Sequence, residues 1–322
     1  MGIGPVGIAF GEVWRIIGHR VAPGLISGTQ TATDATIIVD LRLPRVLLGA
    51  VVGAGLAVVG TAIQALVRNP LADPYIIGVT SGASLGAVTV IVLGLTPFGI
   101  YSLSTAAFAG AVLAFVAVYL MARQGGQVSP LRLILAGVAV SALLSAITSY
   151  IVIQANDQNT VRSALFWLLG GLSGTRWPEL TIPAVVLLCG TVFLILQGRA
   201  LNAMAVGEET AVTLGIDVNR LRKQLVGLCA LITGVLVAVS GSIGFVALMV
   251  PHAVRFLVGS DHRRVLPVAA LVGAIFLVWV DVAARTVAQP VEVPIGVMTS
   301  AIGAPFFLWL LRRQDARSAG RT

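Results

Sequence analysis

Long apolar runs, each closed by a few polar or chain-breaking residues, make up most of this sequence. Runs long enough to cross a bilayer as helices fall at 44–67, 75–96, 102–122, 131–153, 178–197, 224–241, 243–259, 265–284 and 294–311, which predicts nine spans. The stretch 224–259 is the hardest to divide. It is read as two short crossings because Lys223 and Arg263 belong on the same side, with breaks near Gly241, Gly244 and Pro251.

Composition turns this pattern into a class. Of 322 residues, 57% are hydrophobic and 11% charged, and the mean hydropathy is +0.98. So few charges cannot clothe a soluble globule, so the expected fold is all-α: a polytopic helical bundle in a membrane. The net charge of +8 does not point to nucleic acid, because the basic residues stand singly or in pairs between apolar runs. They serve as topology signals. Placing Arg68, Arg123, Arg132, Arg199, Arg220, Arg222, Lys223, Arg255, Arg263, Arg264, Arg312, Arg313, Arg317 and Arg321 inside leaves Arg15, Arg20, Arg42, Arg45, Arg162, Arg176 and Arg285 outside. Fourteen against seven is the expected cytoplasmic bias.

Nine spans with the C-terminus inside leave residues 1–40 as an extracytoplasmic segment, followed by a membrane domain over 41–313 and a cytoplasmic tail over 314–322. The segment carries Glu12, Arg15, His19, Arg20, Asp34 and Asp40, which argue against a membrane helix, and it lacks the basic start and apolar stretch of a signal peptide. An offset of 181 residues pairs Gly53, Gly60, Pro70 and Gly78 with Gly234, Gly241, Pro251 and Gly259, which suggests an inverted repeat. Gly49 with Gly53, and Gly78, Gly82 and Gly86, stand four apart, as helix faces do where backbones approach closely.

Signatures of catalysis are missing. The chain has no GxxxxGK[ST] phosphate loop, HExxH or GxSxG; Gly2, Gly4 and Gly7 fit GxGxxG without any βαβ setting, and Cys189 and Cys229 lie inside apolar runs. Asp281 and Arg285, one helical turn apart at the outer end of a span, read as a self-neutralised pair. His252 reads as a packed residue. The polar connection from Gly198 to Gln224 is richer. Gly207 opens a short helix with Glu208 and Glu209 in its first turn, Gly215 closes it, and Asp217 caps a second helix through Asn219, Arg220, Arg222 and Lys223. A helix pair on the cytoplasmic face suits docking. Arg42 and Arg45 stand on the outer rim against the charge bias, where the charge pattern alone reads as a solvated rim or as an invitation to an acidic partner.

Five segments make the chain familiar: LRLPR (Leu41 to Arg45), GTAIQALVRNPLADPYIIGVTSGASLG (Gly60 to Gly86), GEETAVTLGIDV (Gly207 to Val218), GSIGFVALMVPHAVR (Gly241 to Arg255) and VPIGVMTSAIGAPFF (Val293 to Phe307). In this order they resemble the FecCD family, membrane permeases of bacterial ABC importers for iron siderophores, haem and cobalamin. The resemblance implies a multi-pass protein of the cytoplasmic membrane, a second permease copy, two separate ATPase subunits that bind ATP and Mg, and an extracytoplasmic substrate-binding protein. It implies no enzymatic activity, metal or cofactor in this chain. By the same resemblance, Gly207, Glu208, Glu209, Leu214, Gly215 and Asn219 belong to the coupling helices, at about 200–223, that meet the ATPases. Arg42, Arg45 and Arg285 match arginines that meet glutamates of the binding protein, and Asn69 and Leu71 match the closing element of the cytoplasmic gate. The second closing element reads Ser129, Pro130, Leu131 where the family carries small hydroxylated residues.

Family members carry one more membrane helix before the point matched by GPVGIAFGEVWRII, giving ten spans, so the resemblance implies a start assigned too far downstream. The expected cargo is a ferric siderophore, with haem and cobalamin behind it. A secondary transporter coupled to ions through Asp281 would need a facing carboxylate, for which Asp73 is the one acid near a span end. An intramembrane enzyme would need a nucleophile and base or a metal-ligand set, which the chain does not display.

Overall fold

The computed structural model describes residues 1–4, 6–22, 31–125 and 127–319. The helices run in the order α1 (Phe10–Val21), α2 (Ala32–Thr36), α3 (Leu43–Val67), α4 (Val79–Leu93), α5 (Ser102–Ala122), α6 (Pro130–Ile153), α7 (Gln158–Leu168) and α8 (Thr181–Leu196). There follow α9 (Gly198–Val206), α10 (Glu208–Thr213), α11 (Val218–Ser240), α12 (Val246–Val258), α13 (His262–Thr286) and α14 (Ile295–Ala319). Two short strands, β1 (Arg123–Gln124) and β2 (Gln127–Val128), form an antiparallel hairpin before α6. The rest of the described fold is helical, as the apolar runs predict.

Every predicted span falls on an apolar helix, and the lengths divide those helices into two groups. Six stretches are long enough to cross a membrane: Ala32–Val67, Gly99–Ala122, Pro130–Ile153, Trp177–Leu196, Val218–Ser240 and His262–Thr286. Val79–Leu93, Val246–Val258 and Ile295–Leu310 are apolar but shorter. At 1.5 Å per residue, α4 and α12 cover about 22 and 20 Å, less than the roughly 30 Å hydrocarbon layer. The structure therefore supports six full-length spans, and the count of nine is not established by helix length.

The first span also starts earlier than the apolar run. From Ala32 the chain is continuously helical through α2, a π-helical segment at Ile37–Arg42 and α3. The boundary drawn at residues 40 and 41 lies inside this helix. Thr31 caps it by accepting from the Asp34 backbone N–H. Upstream, α1 is amphipathic and packs Val13 and Ile16 on Ile8 and Ile38, while Phe10 and Trp14 face outward.

Burial separates a central helix from a lipid-facing shell. The most apolar window of the Ala32–Val67 helix is 78% buried, against 22% for that of α6. A central position among other helices requires close backbone approach, because apolar surface gains little by leaving lipid for protein. Gly53 of α3 and Gly273 of α13 meet so closely that a Cβ on either would strike the other's carbonyl, and Gly82 of α4 stands likewise against Gly110 of α5. The four-residue glycine spacing of 82 and 86 thus marks a helix seam, with Gly86 against Ala106.

Two breaks flank the short helices. Arg68 ends α3 in the left-handed region at φ 54°, and the following Pro70 disfavours further helix at Asn69. Gly241 ends α11 and Phe245, at φ 67°, begins α12. Tyr75 ties the two breaks together: its hydroxyl donates to the Ile243 carbonyl at 2.6 Å and accepts from the Ile243 N–H at 2.8 Å. The glycine and proline pairs at the 181-residue offset do not share a local structure, however. Gly60 is mid-helix whereas Gly241 is a helix end, and Pro70 lies in a turn whereas Pro251 lies inside α12. The offset does not by itself establish an inverted repeat.

Candidate functional site

Two polar constellations sit at opposite ends of α3. At its start, the LRLPR stretch brings Arg42 and Arg45 to one end of the bundle, and α13 supplies Asp281 and Arg285. Arg45 reaches Asp281 at 2.8 Å and grips Glu292 with both terminal nitrogens at 3.0 Å. Arg285 pairs with Asp281 at 3.0 Å, one helical turn away, as the sequence implies. Asp281, 1% exposed, thus carries two guanidiniums.

Arg42 has no carboxylate partner among the described residues. It donates to the carbonyls of Met1, at 2.6 Å, and Val6, while Arg285 reaches the Ile3 carbonyl at 3.5 Å. Three arginines against two carboxylates leave one positive charge under the N-terminal segment. Arg42 and Arg285 are buried and Arg45 nearly so, which differs from the solvated rim that the charge pattern alone suggests. Glu292 was not singled out by the sequence, since nothing in a lone glutamate announces a partner 247 positions away. Burial opposes its ionisation, but the hydrogen bonds from Arg45 and from Ser173, at 2.6 Å, outweigh that and hold its carboxyl below the usual range.

At the other end of α3, the connection after α8 folds into α9 and α10, one helix more than the sequence pattern shows. Gly207 precedes α10, and Glu208 and Glu209 occupy its first turn. It closes in a Schellman turn: the Ile216 N–H bonds the Ala211 carbonyl at 3.0 Å, the Gly215 N–H bonds the Val212 carbonyl at 2.9 Å, and Gly215 takes φ 78°. Asp217 then caps α11 through the Arg220 N–H at 2.9 Å, as expected. This geometry leaves Val212 and Leu214 projecting, Leu214 at 66% exposure, with Glu209 also exposed. Asn219, in the first turn of α11, keeps a buried side-chain oxygen without a partner.

The segment matched to the cytoplasmic gate lies beside these helices. Asn69 accepts from the Leu71 N–H at 2.9 Å, so its side chain shapes the turn rather than projecting freely, and Leu71 is partly exposed. Ser129 precedes α6 without a side-chain cap, and Pro130 opens that helix. Arg68 and Arg222, read from the sequence only as topology signals, both approach Glu208. Deeper in the bundle, Gln64 accepts from Arg255 at 2.6 Å, another pairing the sequence does not announce.

Asp281 and Asp73 lie at opposite ends of α3 and do not face each other. His252 packs edge-on against Phe256 at 5.0 Å between ring centres, and no group of three metal-capable side chains occurs among the described residues.

The model of the FecCD transport family matches residues 1–313. The chain belongs to the FecCD transport family. It is 45% identical over 292 residues to the cobalamin import system permease protein BtuC of Halobacterium salinarum, covering 89% of this chain and 76% of that one. It is 43% identical to the Fe(3+)-citrate import system permease protein YfmD of Bacillus subtilis, over 87% and 82% of the two chains. With the hemin transport system permease protein HmuU of Yersinia pestis the identity is 41%, over 88% and 85%. A solved structure of an inward-facing metal-chelate type ABC transporter superposes with a TM-score of 0.81 at 34% identity, covering 94% of this chain and 97% of that one. This FecCD chain is therefore a polytopic ABC-importer permease of the cytoplasmic membrane, the transport subunit of a multi-subunit importer.

Proposed function

We propose that the chain moves a large metal chelate inward by alternating access, in a complex of two permease copies, two ATPase subunits and an extracytoplasmic binding protein. The observation that carries this reading is α10, where an exposed Leu214 is held out by a closed Schellman turn at one end and Glu208, at the other, lies 3.7 Å from Arg68, the residue before the Asn69–Leu71 segment. An apolar knob on a rigid helix end fits a cleft in a partner that pushes and pulls. Gly207, Glu208, Glu209, Leu214, Gly215 and Asn219 form the coupling element on this reading, and Asn69 and Leu71 close the inner end of the path. The nine helices cross or enter the membrane as the charge pattern suggests, with α4 and α12 as interrupted crossings.

Arg42, Arg45 and Arg285 receive the binding protein. Because they are already paired, docking has to exchange partners: an incoming carboxylate replaces Glu292 on Arg45 or the backbone carbonyls on Arg42.

For cargo, cobalamin and haem stand ahead of the expected ferric siderophore. The reading rests on the relatives' names, among which a cobalamin permease shares 45% identity and ferric-citrate and hemin permeases follow closely. Uptake of labelled cobalamin, haem iron and ferric siderophore in cells with and without the gene tests it. Loss of cobalamin uptake alone is the expected result, and loss of siderophore uptake alone would restore the siderophore assignment.

A further inference from the structure

One carboxylate connects the coupling helix to both inner closing segments. Glu208 opens α10, and its Oε1 accepts from Arg222 Nη2 at 2.6 Å and lies 3.7 Å from Arg68 Nη2. Arg68 is the residue immediately before Asn69, held in the left-handed region at φ 54°, so its side chain leaves the chain where helix α3 becomes the closing segment. Arg222, on the second turn of α11 and 8% exposed, donates through Nη1 to the Val128 carbonyl at 3.1 Å. Val128 immediately precedes Ser129 and Pro130, the second closing segment.

The strengths of these links differ in a useful way. Arg222 is buried, its bond to Glu208 is short and charge-assisted, and such bonds are roughly twice as strong as neutral ones. The Arg68 pair is longer and half exposed on both sides, so it transmits a smaller force. Space exists for the link to move. A cavity of about 330 Å³ opens beside it, lined by Gln124, Val128, Ser129, Arg132, Glu208 and Arg222, and the Nε of Arg222 has no hydrogen-bond partner among the described residues. A buried arginine held at its tip, unsatisfied at its Nε and next to free volume can swing without unpacking the helices around it.

We propose that Glu208 is a positioning residue that carries displacement of α10 to both closing segments at once, through Arg222 to 128–131 and through Arg68 to 69–71. Leu214 and Glu209 on this view engage the ATPase, whereas Glu208 faces inward and transmits. The proposal rests on α10 being the coupling element.

The test uses the full permease co-expressed with its cognate ATPase subunit and reconstituted in liposomes. Single cysteines at Leu71 or Ser129 are labelled with a charged maleimide, with and without ATP, in a background where the native cysteines are replaced. The parent should label differently in the two states at both positions. Glu208→Gln keeps the shape of the side chain and removes its charge; the nucleotide-dependent change should fall by about fivefold or more at both positions, with retention of the ATPase subunit measured on the same sample. Arg222→Met should suppress the response at Ser129 and spare Leu71, and Arg68→Met should do the reverse, more weakly. Conservative Arg222→Lys, which keeps charge and a donor, should recover part of the response. An undiminished response in Glu208→Gln overturns the proposal, as does loss of ATPase binding in that variant, which would make Glu208 a docking residue. A parent that holds no ATPase would instead remove the coupling reading itself, and the parent control separates that failure from the other two.

Discussion

The two ends of α3 handle charge in opposite ways. At the outer end, Arg45 and Arg285 share Asp281, Arg45 also holds Glu292, and Arg42 is bound by carbonyls of the N-terminal segment, so the cluster is assembled before any partner arrives. At the inner end, α10 holds Leu214 and Glu209 out toward solvent, and only Glu208 turns back to pair. A buried network resists loss of any member, because removing one charge strands the others in a medium that cannot solvate them. An exposed docking knob can be changed at little cost to the fold. On the proposed assignment, the outer end combines structure and recognition in the same residues, and the inner end divides them between Glu208 and its exposed neighbours.

The sharpest way to break this contrast is Asp281→Ala. It leaves Arg45 and Arg285 short of a shared buried partner and should lower stability by about 3–5 kcal/mol, read as thermal unfolding of the purified permease. Leu214→Ala should stay within about 0.5 kcal/mol of the parent in the same measurement, and a comparable loss in both variants would erase the distinction. Function should invert the order. Leu214→Asp is expected to weaken ATPase association by about tenfold or more, measured by pull-down from detergent, with the melting temperature unchanged.

A smaller effect sharpens the outer end. Glu292→Gln loosens the two-point grip on Arg45 and should strengthen binding of an acidic docking partner a few-fold, by about 1 kcal/mol or less, with the gain shrinking at high salt. Weaker docking in that variant would mean that Glu292 shapes the receiving surface instead of competing for it.

A last change concerns the turn just past the Arg68 end of α3. Burial raises the Asp73 carboxyl to about 6 from 3.8, against the pull of its bond from the Tyr75 N–H. A raised acid favours the protonated folded form, so its contribution is fully present below 3.8 and lost as pH rises through about 6. The parent should melt slightly lower at pH 7.5 than at pH 5, and Asp73→Asn should flatten that difference. A parallel slope in both would assign the pH dependence elsewhere.

What the sequence shows well is whatever depends on neighbours along the chain. Uniform apolar runs give the helices, Gly215 and Asp217 give the turn after α10, and Asp281 with Arg285 gives a pair one turn apart. The four-residue spacing of Gly82 and Gly86 announces a close seam, although Gly110 as its other side emerges only from packing. Hidden from the sequence is everything set by long-range approach. Glu292 meets Arg45 across 247 positions, Arg222 reaches back to Val128 across 94, and Tyr75 closes on Ile243 across 168. Charge counting placed Arg42 and Arg45 at the outer end but could not show them covered, because burial of a charge depends on partners that composition does not reveal. Helix α9 is not legible in the sequence because it follows α8 after a single residue, too closely for Gly198 to mark a separate element.

On the proposed reading, the inner face drives this permease through α10. The direct measurement is uptake of labelled chelate into liposomes holding the permease with its ATPase and binding protein, for the parent and for Leu214→Asp. The account predicts uptake that requires ATP in the parent, ignores an imposed proton gradient, and is lost in the variant. Uptake driven by the proton gradient with no ATPase present, undiminished in Leu214→Asp, would contradict it.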